Sequence, residues 1–175
     1  VATRPYYPVV NSPRPSKGLS TATVQLEEFS DFQCPACKAA QPIVDDVLKT
    51  FGDRIYFTYR HYPLVQIHTK AFTASLAAEC VNDQGKFWEY HDILFDKQPA
   101  LSRDELITYA SQVGIDVSKF TACLDSRAKT VVVRDDIKEA DKRGVQGTPT
   151  FYLNGVRVED WSKLKEFIQA KLVGG

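Results

Sequence analysis

The 175 residues carry 22 basic and 22 acidic side chains, a formal charge of zero, and 43% of them are hydrophobic, with 10 Phe, 8 Tyr and 2 Trp. That is enough apolar material for one full core, and so for one domain or one domain with an insertion. The balanced charge argues against nucleic acid or an anionic membrane surface as the main partner, and no run approaches the roughly 18 apolar residues of a membrane-spanning helix.

Residues 1–20 hold Pro5, Pro8, Pro13 and Pro15 among Ser, Asn and Gly with no periodicity. They read as an extended N-terminal arm or linker. The chain starts at Val1 rather than Met, which fits a mature form from which a signal or anchor has been removed. Residues 23–30 alternate as a first strand, and alternation turns one of Glu27 and Glu28 inward. The run Ala40, Ile43, Val44, Val47, Leu48, Phe51 has helical spacing and predicts a helix from Cys34 to about Thr50. Pro42 should bend it, and Phe51-Gly52-Asp53 should end it. Residues 54–62 alternate as a second strand, closed by Pro63.

From about Ile67 to Val145 the pattern is helical. Five helices are expected: around Ala71–Glu79, around Phe87–Phe95, after Ser102 (with Glu105 three residues on, a capping box), at 118–124 and at 128–142. The aromatic cluster at Trp88 reads as core. Thr150–Glu159 predicts a hairpin turning at Asn154-Gly155. A closing helix capped by Asp160 or Ser162 follows, buried along Trp161, Leu164, Ile168 and Leu172.

Chemistry concentrates in Cys34-Pro35-Ala36-Cys37. The spacing places Cys34 at a strand-to-helix turn, with Pro35 in the first helical turn, where its missing N–H is harmless. Free N–H groups and the positive dipole end of a helix N-terminus stabilise an anion. The thiolate is the reactive species in disulfide exchange. Cys34 should therefore be the exposed, attackable sulfur with a lowered pKa, and Cys37, one turn in, its shielded partner. The bland alternatives are a structural disulfide or half of a zinc site. Far along the chain, Thr148-Pro149 precedes the hairpin, and an X-Pro bond there is a candidate cis bond.

A C-x-x-C at a helix start, paired with Thr-Pro before a late hairpin and a closing helix, resembles the thioredoxin fold. The long helical stretch between the two halves is similar to the DsbA-like branch, in particular the BdbD-type extracytoplasmic thiol–disulfide oxidoreductases. The resemblance covers roughly Thr23 to Val173. It implies an α/β thioredoxin fold with an inserted helical subdomain: a thioredoxin-like domain at 21–64 and 145–175, and the insertion at 65–144. It further implies Cys34 as nucleophile, Cys37 as resolving thiol, Glu28 (six before Cys34) as a buried proton relay, and Thr148 with Pro149 as a loop that pairs with bound substrate. Ala36 departs from the strongest oxidases of the branch, which carry a histidine in that dipeptide. A milder oxidant is expected.

Four cysteines are an even number, permitting two disulfides in an oxidising compartment, and the absence of Met hints at the same setting. Cys80 and Cys123, 43 residues apart on two predicted helices, pair as a structural disulfide or remain two free thiols. BdbD-type sequences often show cysteines in these regions. A zinc site on all four cysteines lacks a second C-x-x-C, and His61, His68 and His91 lack ligand spacing. A Cys–His hydrolase would leave Cys37 and Thr-Pro unexplained. Each histidine reads as a surface or satisfied buried residue, and neither cofactor nor metal is expected.

The resemblance implies an extracytoplasmic oxidase acting on reduced or unfolded exported proteins. A quinone-linked membrane protein of the DsbB or VKOR type would reoxidise it. Two alternatives remain: the same site run as a reductase or isomerase, or a chaperone-like binding module with a structural disulfide. Isomerases of the superfamily are usually dimeric through an added domain. The irregular arm offers none, so a monomeric oxidase is expected.

Overall fold

The structure, a computed structural model, describes residues 13–174. Pro5 and Pro8 of the expected arm lie outside the described residues. The arm's remainder is not plain linker: Ser16–Gly18 form a short strand, β1, paired antiparallel with Thr58, Phe57 and Tyr56. Only tertiary pairing reveals it. A Cβ at Gly18, whose φ is +89°, would run into the Ile55 carbonyl oxygen, so glycine lets the arm lie that close.

The first central strand, β2 (Val24–Ser30), leads into α1 (Pro35–Phe51), which runs unbroken through Pro42 and ends at Gly52 with φ +52°. The next strand, β3 (Ile55–His61), lies parallel to β2, with Val24 opposite Ile55 and Ser30 opposite His61. Five helices follow before the sheet resumes: α2 (Ala71–Asn82), α3 (Phe87–Lys97), α4 (Arg103–Gln112), α5 (Val117–Asp125) and α6 (Thr130–Lys142). The Ser102–Glu105 capping box closes at the start of α4. Then β4 (Thr150–Leu153) returns antiparallel to β2, and β5 (Val156–Arg157) turns back on it. The β5 strand is shorter than the expected hairpin arm, although Val158 N–H still donates to the Phe151 carbonyl at 2.8 Å.

Asn154 (φ +48°) and Gly155 (φ +78°) make the left-handed turn between β4 and β5. The Asn154 side chain accepts from Gln25 N–H at 2.7 Å, which locks the turn to β2. Asp160 caps a short 3-10 turn at Trp161–Lys163 ahead of α7 (Leu164–Val173).

The sheet order is β1-β3-β2-β4-β5. On one face, alternate residues of β2 and β3 (Val24, Leu26, Ile55, Phe57) pack with Ala40, Val44 and Val47 of α1 and Leu164 and Ile168 of α7. A second core fills the helical region, from Leu76 and Ala77 through Tyr90, Leu94 and Phe120 to the Cys80–Cys123 pair, and reaches Phe32 and the C-x-x-C. This is the thioredoxin fold with a helical insertion. The C-x-x-C belongs to the second core, while Ala40, Val44 and Val47 further along α1 belong to the first.

Candidate active site

The turn from β2 into α1 is fixed from several sides. Asp31, fully buried, accepts from Gln33 N–H at 2.7 Å through one oxygen, and through the other from Leu64 N–H at 2.8 Å. His68 Nδ1 lies 2.7 Å from that second oxygen. Gln98 Nε2 donates to the carbonyls of Phe32 (2.7 Å) and Cys34 (3.1 Å). Phe32 stacks on Tyr59 at 5.6 Å and tilts against Phe95 at 5.0 Å. The loop therefore delivers Cys34 to the N-cap of α1 in extended conformation, with Pro35 in the first turn.

Cys34 is 7% exposed, a buried sulfur rather than the exposed one expected, because the Thr148 carbonyl and the helical core lie against it; Cys37 is fully buried, and both are free thiols. The Cys34 thiol is pulled down to about 5, first by its hydrogen bond with Cys37, then by Thr148 and the backbone N–H groups of Cys37 and Ala36, against burial. Burial pushes Cys37 well above the ordinary thiol value, and its contact with Cys34 pushes the same way. The helix amides and the inner thiol thus divide the pair into one ready thiolate and one reluctant thiol. The Cys34 Sγ also sits 3.5 Å from the Thr148 carbonyl oxygen. The Thr148–Pro149 peptide bond is cis.

Glu28 points inward beneath this pair and is fully buried, whereas Glu27 faces the other side, where it binds Arg60 and Arg143 at 2.8 Å each. Burial raises the Glu28 carboxyl to about 7. Gln41 Nε2 donates both to Glu28 Oε1 (3.2 Å) and to the Cys37 carbonyl (3.0 Å), tying the acid to the helix that carries the thiols.

Gln41, Ser30, Tyr59, Asp31 and Gln98 were not singled out from the sequence. Their signal lies in strand register and long-range contact. The histidines stand apart from the thiols: His61 pairs with Glu79 at 2.8 Å, His91 with Asp92 at 2.8 Å, and His68 supports the turn through Asp31. The structure joins Cys80 of α2 to Cys123 of α5 as a disulfide. Among the described residues, no three His, Cys, Asp or Glu side chains are grouped to hold a metal.

A family model described as Thioredoxin matches residues 11–170. BdbD from Bacillus subtilis, in its oxidised crystal structure, is 28% identical with a TM-score of 0.82, over 91% of this chain and 92% of that one. A thioredoxin-like oxidoreductase from Silicibacter pomeroyi superposes with a TM-score of 0.80 at 23% identity, over 93% of this chain and 94% of that one. Among curated relatives, a Na(+)/H(+) antiporter NhaA 1 from Salinispora arenicola is 40% identical over 141 residues, which is 81% of this chain and 22% of the antiporter. The chain thus spans about a fifth of the length of the curated relatives it matches. No helix among the described residues is long and apolar enough to cross a membrane.

Proposed function

The chain belongs to the thioredoxin family, in its DsbA-like branch, and from that premise we propose that it is a thiol–disulfide oxidoreductase working as a dithiol oxidase of exported proteins. One observation carries this: Cys34 is an N-cap thiol held near pKa 5 over a buried partner thiol. A low-pKa sulfur leaves readily, and a stable thiolate makes the reduced enzyme the favoured end of the exchange.

A substrate thiolate attacks Cys34 Sγ of the oxidised pair. The new S–S bond joins substrate to Cys34, the Cys34–Cys37 bond breaks, and Cys37 departs with the electron pair and takes up a proton. Glu28, with its carboxyl near pKa 7, supplies that proton. The substrate's second thiolate then attacks its own sulfur of the mixed disulfide, and Cys34 leaves as thiolate. The substrate loses two electrons and the cysteine pair gains them. Thr148 and Pro149 form the loop beside which substrate backbone pairs.

The setting is extracytoplasmic, the substrates are reduced or unfolded exported proteins, and a quinone-linked membrane protein of the DsbB or VKOR type takes the electrons. The Cys80–Cys123 pair has a structural role, away from the exchange. Sodium–proton exchange is named for the antiporters as whole proteins.

The test is trapping. A Cys37→Ser chain mixed with a disulfide-bonded peptide should accumulate a mixed disulfide on Cys34, because nothing resolves it, while Cys34→Ser should give none. Absence of the adduct from Cys37→Ser would leave a binding module as the better reading.

A further inference from the structure

Two side-chain amides are pinned at the redox turn, and each leaves one end unused. Gln98, in the connection between α3 and α4, donates through Nε2 to the carbonyls of Phe32 (2.7 Å) and Cys34 (3.1 Å). Gln33, the residue before Cys34, accepts through Oε1 from the N–H of Lys70 (2.8 Å), at the start of α2. Both glutamines are half-buried.

The partners decide which end of each amide is engaged. A carbonyl oxygen takes only a donor, so two carbonyls require the NH2 group of Gln98. A main-chain N–H takes only an acceptor, so Lys70 requires the oxygen of Gln33. What remains is one acceptor, Gln98 Oε1, and one donor, Gln33 Nε2. Among the described residues neither atom has a protein partner, and neither is buried. Pro35 and Ala36, which continue the turn, are exposed, so the turn is open to an incoming chain.

A free surface glutamine loses rotamer freedom when it binds. These two have already lost it to the turn, so they are preorganised. One fixed donor and one fixed acceptor are the complement of a polypeptide main chain, which offers a carbonyl and an N–H at nearly every residue. Main-chain bonds of this kind give affinity without choosing among side chains. Neither amide carries a charge that would select an acidic or a basic sequence.

We propose that Gln33 and Gln98 are substrate-binding residues: Gln98 Oε1 accepts a main-chain N–H, and Gln33 Nε2 donates to a main-chain carbonyl, of the extended segment that carries the attacking cysteine. The inference rests on the oxidoreductase reading and deepens it by naming the substrate class. That class is an unstructured segment recognised by its backbone, with little regard to its sequence. A folded segment has paired the same groups within itself and makes no such bonds.

The test replaces single backbone amides of the substrate. The oxidised full chain is mixed with an unstructured dithiol peptide, and disulfide transfer is followed by acid quench. Analogues carry one ester at a time in place of an amide beside a cysteine, which removes the N–H and weakens the carbonyl as an acceptor. In the parent, the ester at the bond whose N–H meets Gln98 should slow transfer about fivefold, the worth of one hydrogen bond. In Gln98→Met, which keeps the side-chain length without the amide, the same ester should cost nothing. In Gln33→Met the penalty should vanish at the bond whose carbonyl meets Gln33. Amide and ester are compared within one chain, so any change in the turn or in Cys34 reactivity cancels. The two variants break different contacts, and each is a test by itself. Ester penalties equal in the parent and both variants at every bond overturn the proposal. A parent that transfers no disulfide to the all-amide peptide would instead overturn the oxidoreductase reading.

Discussion

The Sγ of Cys34 lies 3.5 Å from the main-chain carbonyl of Thr148, 114 residues further along the chain. A thiol can donate to that oxygen and a thiolate cannot, so this contact by itself favours the protonated form. The Cys37 thiol, the Thr148 side chain and the amides of Cys37 and Ala36 favour the anion. The second group wins, and the Cys34 thiol falls to about 5.

The first expectation follows directly. Alkylation of the reduced chain by a neutral reagent should track the thiolate fraction, rising to half its maximum near pH 5, while Cys37 stays unmodified into the alkaline range. The linkage sign is fixed by a folded pKa below the unfolded one. The Cys34 contribution to stability is full above the ordinary thiol value near 9 and is lost as pH falls through about 5. The reduced chain should therefore lose stability relative to the oxidised chain across that window. A single alkylation midpoint near 9 contradicts this.

Glu28 works in the opposite sense. Its folded carboxyl sits near 7 against 4.5 in the unfolded chain, so its burial costs nothing below 4.5. The cost grows between 4.5 and 7 and is full above 7. Glu28→Gln should stabilise the reduced chain by up to about 3 kcal/mol at pH 8 and leave it unchanged at pH 4. Urea unfolding at the two pH values reads the difference, and an equal gain at both would show that the carboxyl titrates normally.

These two sites were legible in the sequence for different reasons. Cys34, Cys37 and Thr148-Pro149 announce themselves because their chemistry needs those residue types at a helix start and before a hairpin. Glu28 could be picked from Glu27 only through a family offset, since alternation says that one of two neighbours turns inward but not which. Ser30 and Tyr59 are common strand residues, and their burial on the Glu28 face appears only when β2 and β3 are set in register. Asp31 was invisible for the same kind of reason, because its partners Leu64 and His68 lie more than 30 residues away. The β1 strand was hidden by Pro13 and Pro15 and by the lack of any pattern in a strand of 3 residues.

Asp31 should prove a structural hinge of the active-site turn. Asp31→Ala removes acceptors for the amides of Gln33 and Leu64 and for His68 in a buried position. Hydrogen bonds to charged groups are worth about 1.5–3 kcal/mol each, with part recovered by relaxation. A loss of about 3 kcal/mol in denaturant unfolding is expected, with the Cys34 alkylation midpoint raised as the turn loosens. An unchanged unfolding midpoint would mean that the turn is held by Gln98 and Phe32 alone.

The Cys80–Cys123 bridge should act on stability and not on chemistry. It closes a 43-residue separation between α2 and α5, for which chain entropy gives about 4 kcal/mol. A Cys80→Ser, Cys123→Ser chain should unfold earlier by that order, with the pH dependence of Cys34 alkylation unaltered. A shifted Cys34 midpoint would show that the helical region is coupled to the redox site.

The most direct test of the oxidase reading is the reduction potential of the Cys34–Cys37 pair, set against glutathione buffers and read by alkylation of Cys34. A thiol near 5 lies between those of thioredoxin, about 7, and DsbA, about 3.5. Their potentials are about −270 and −120 mV, and each pH unit of thiolate stabilisation is worth about 30 mV. A potential of about −190 mV is expected. A value at or below about −270 mV would contradict it and make the chain a reductase.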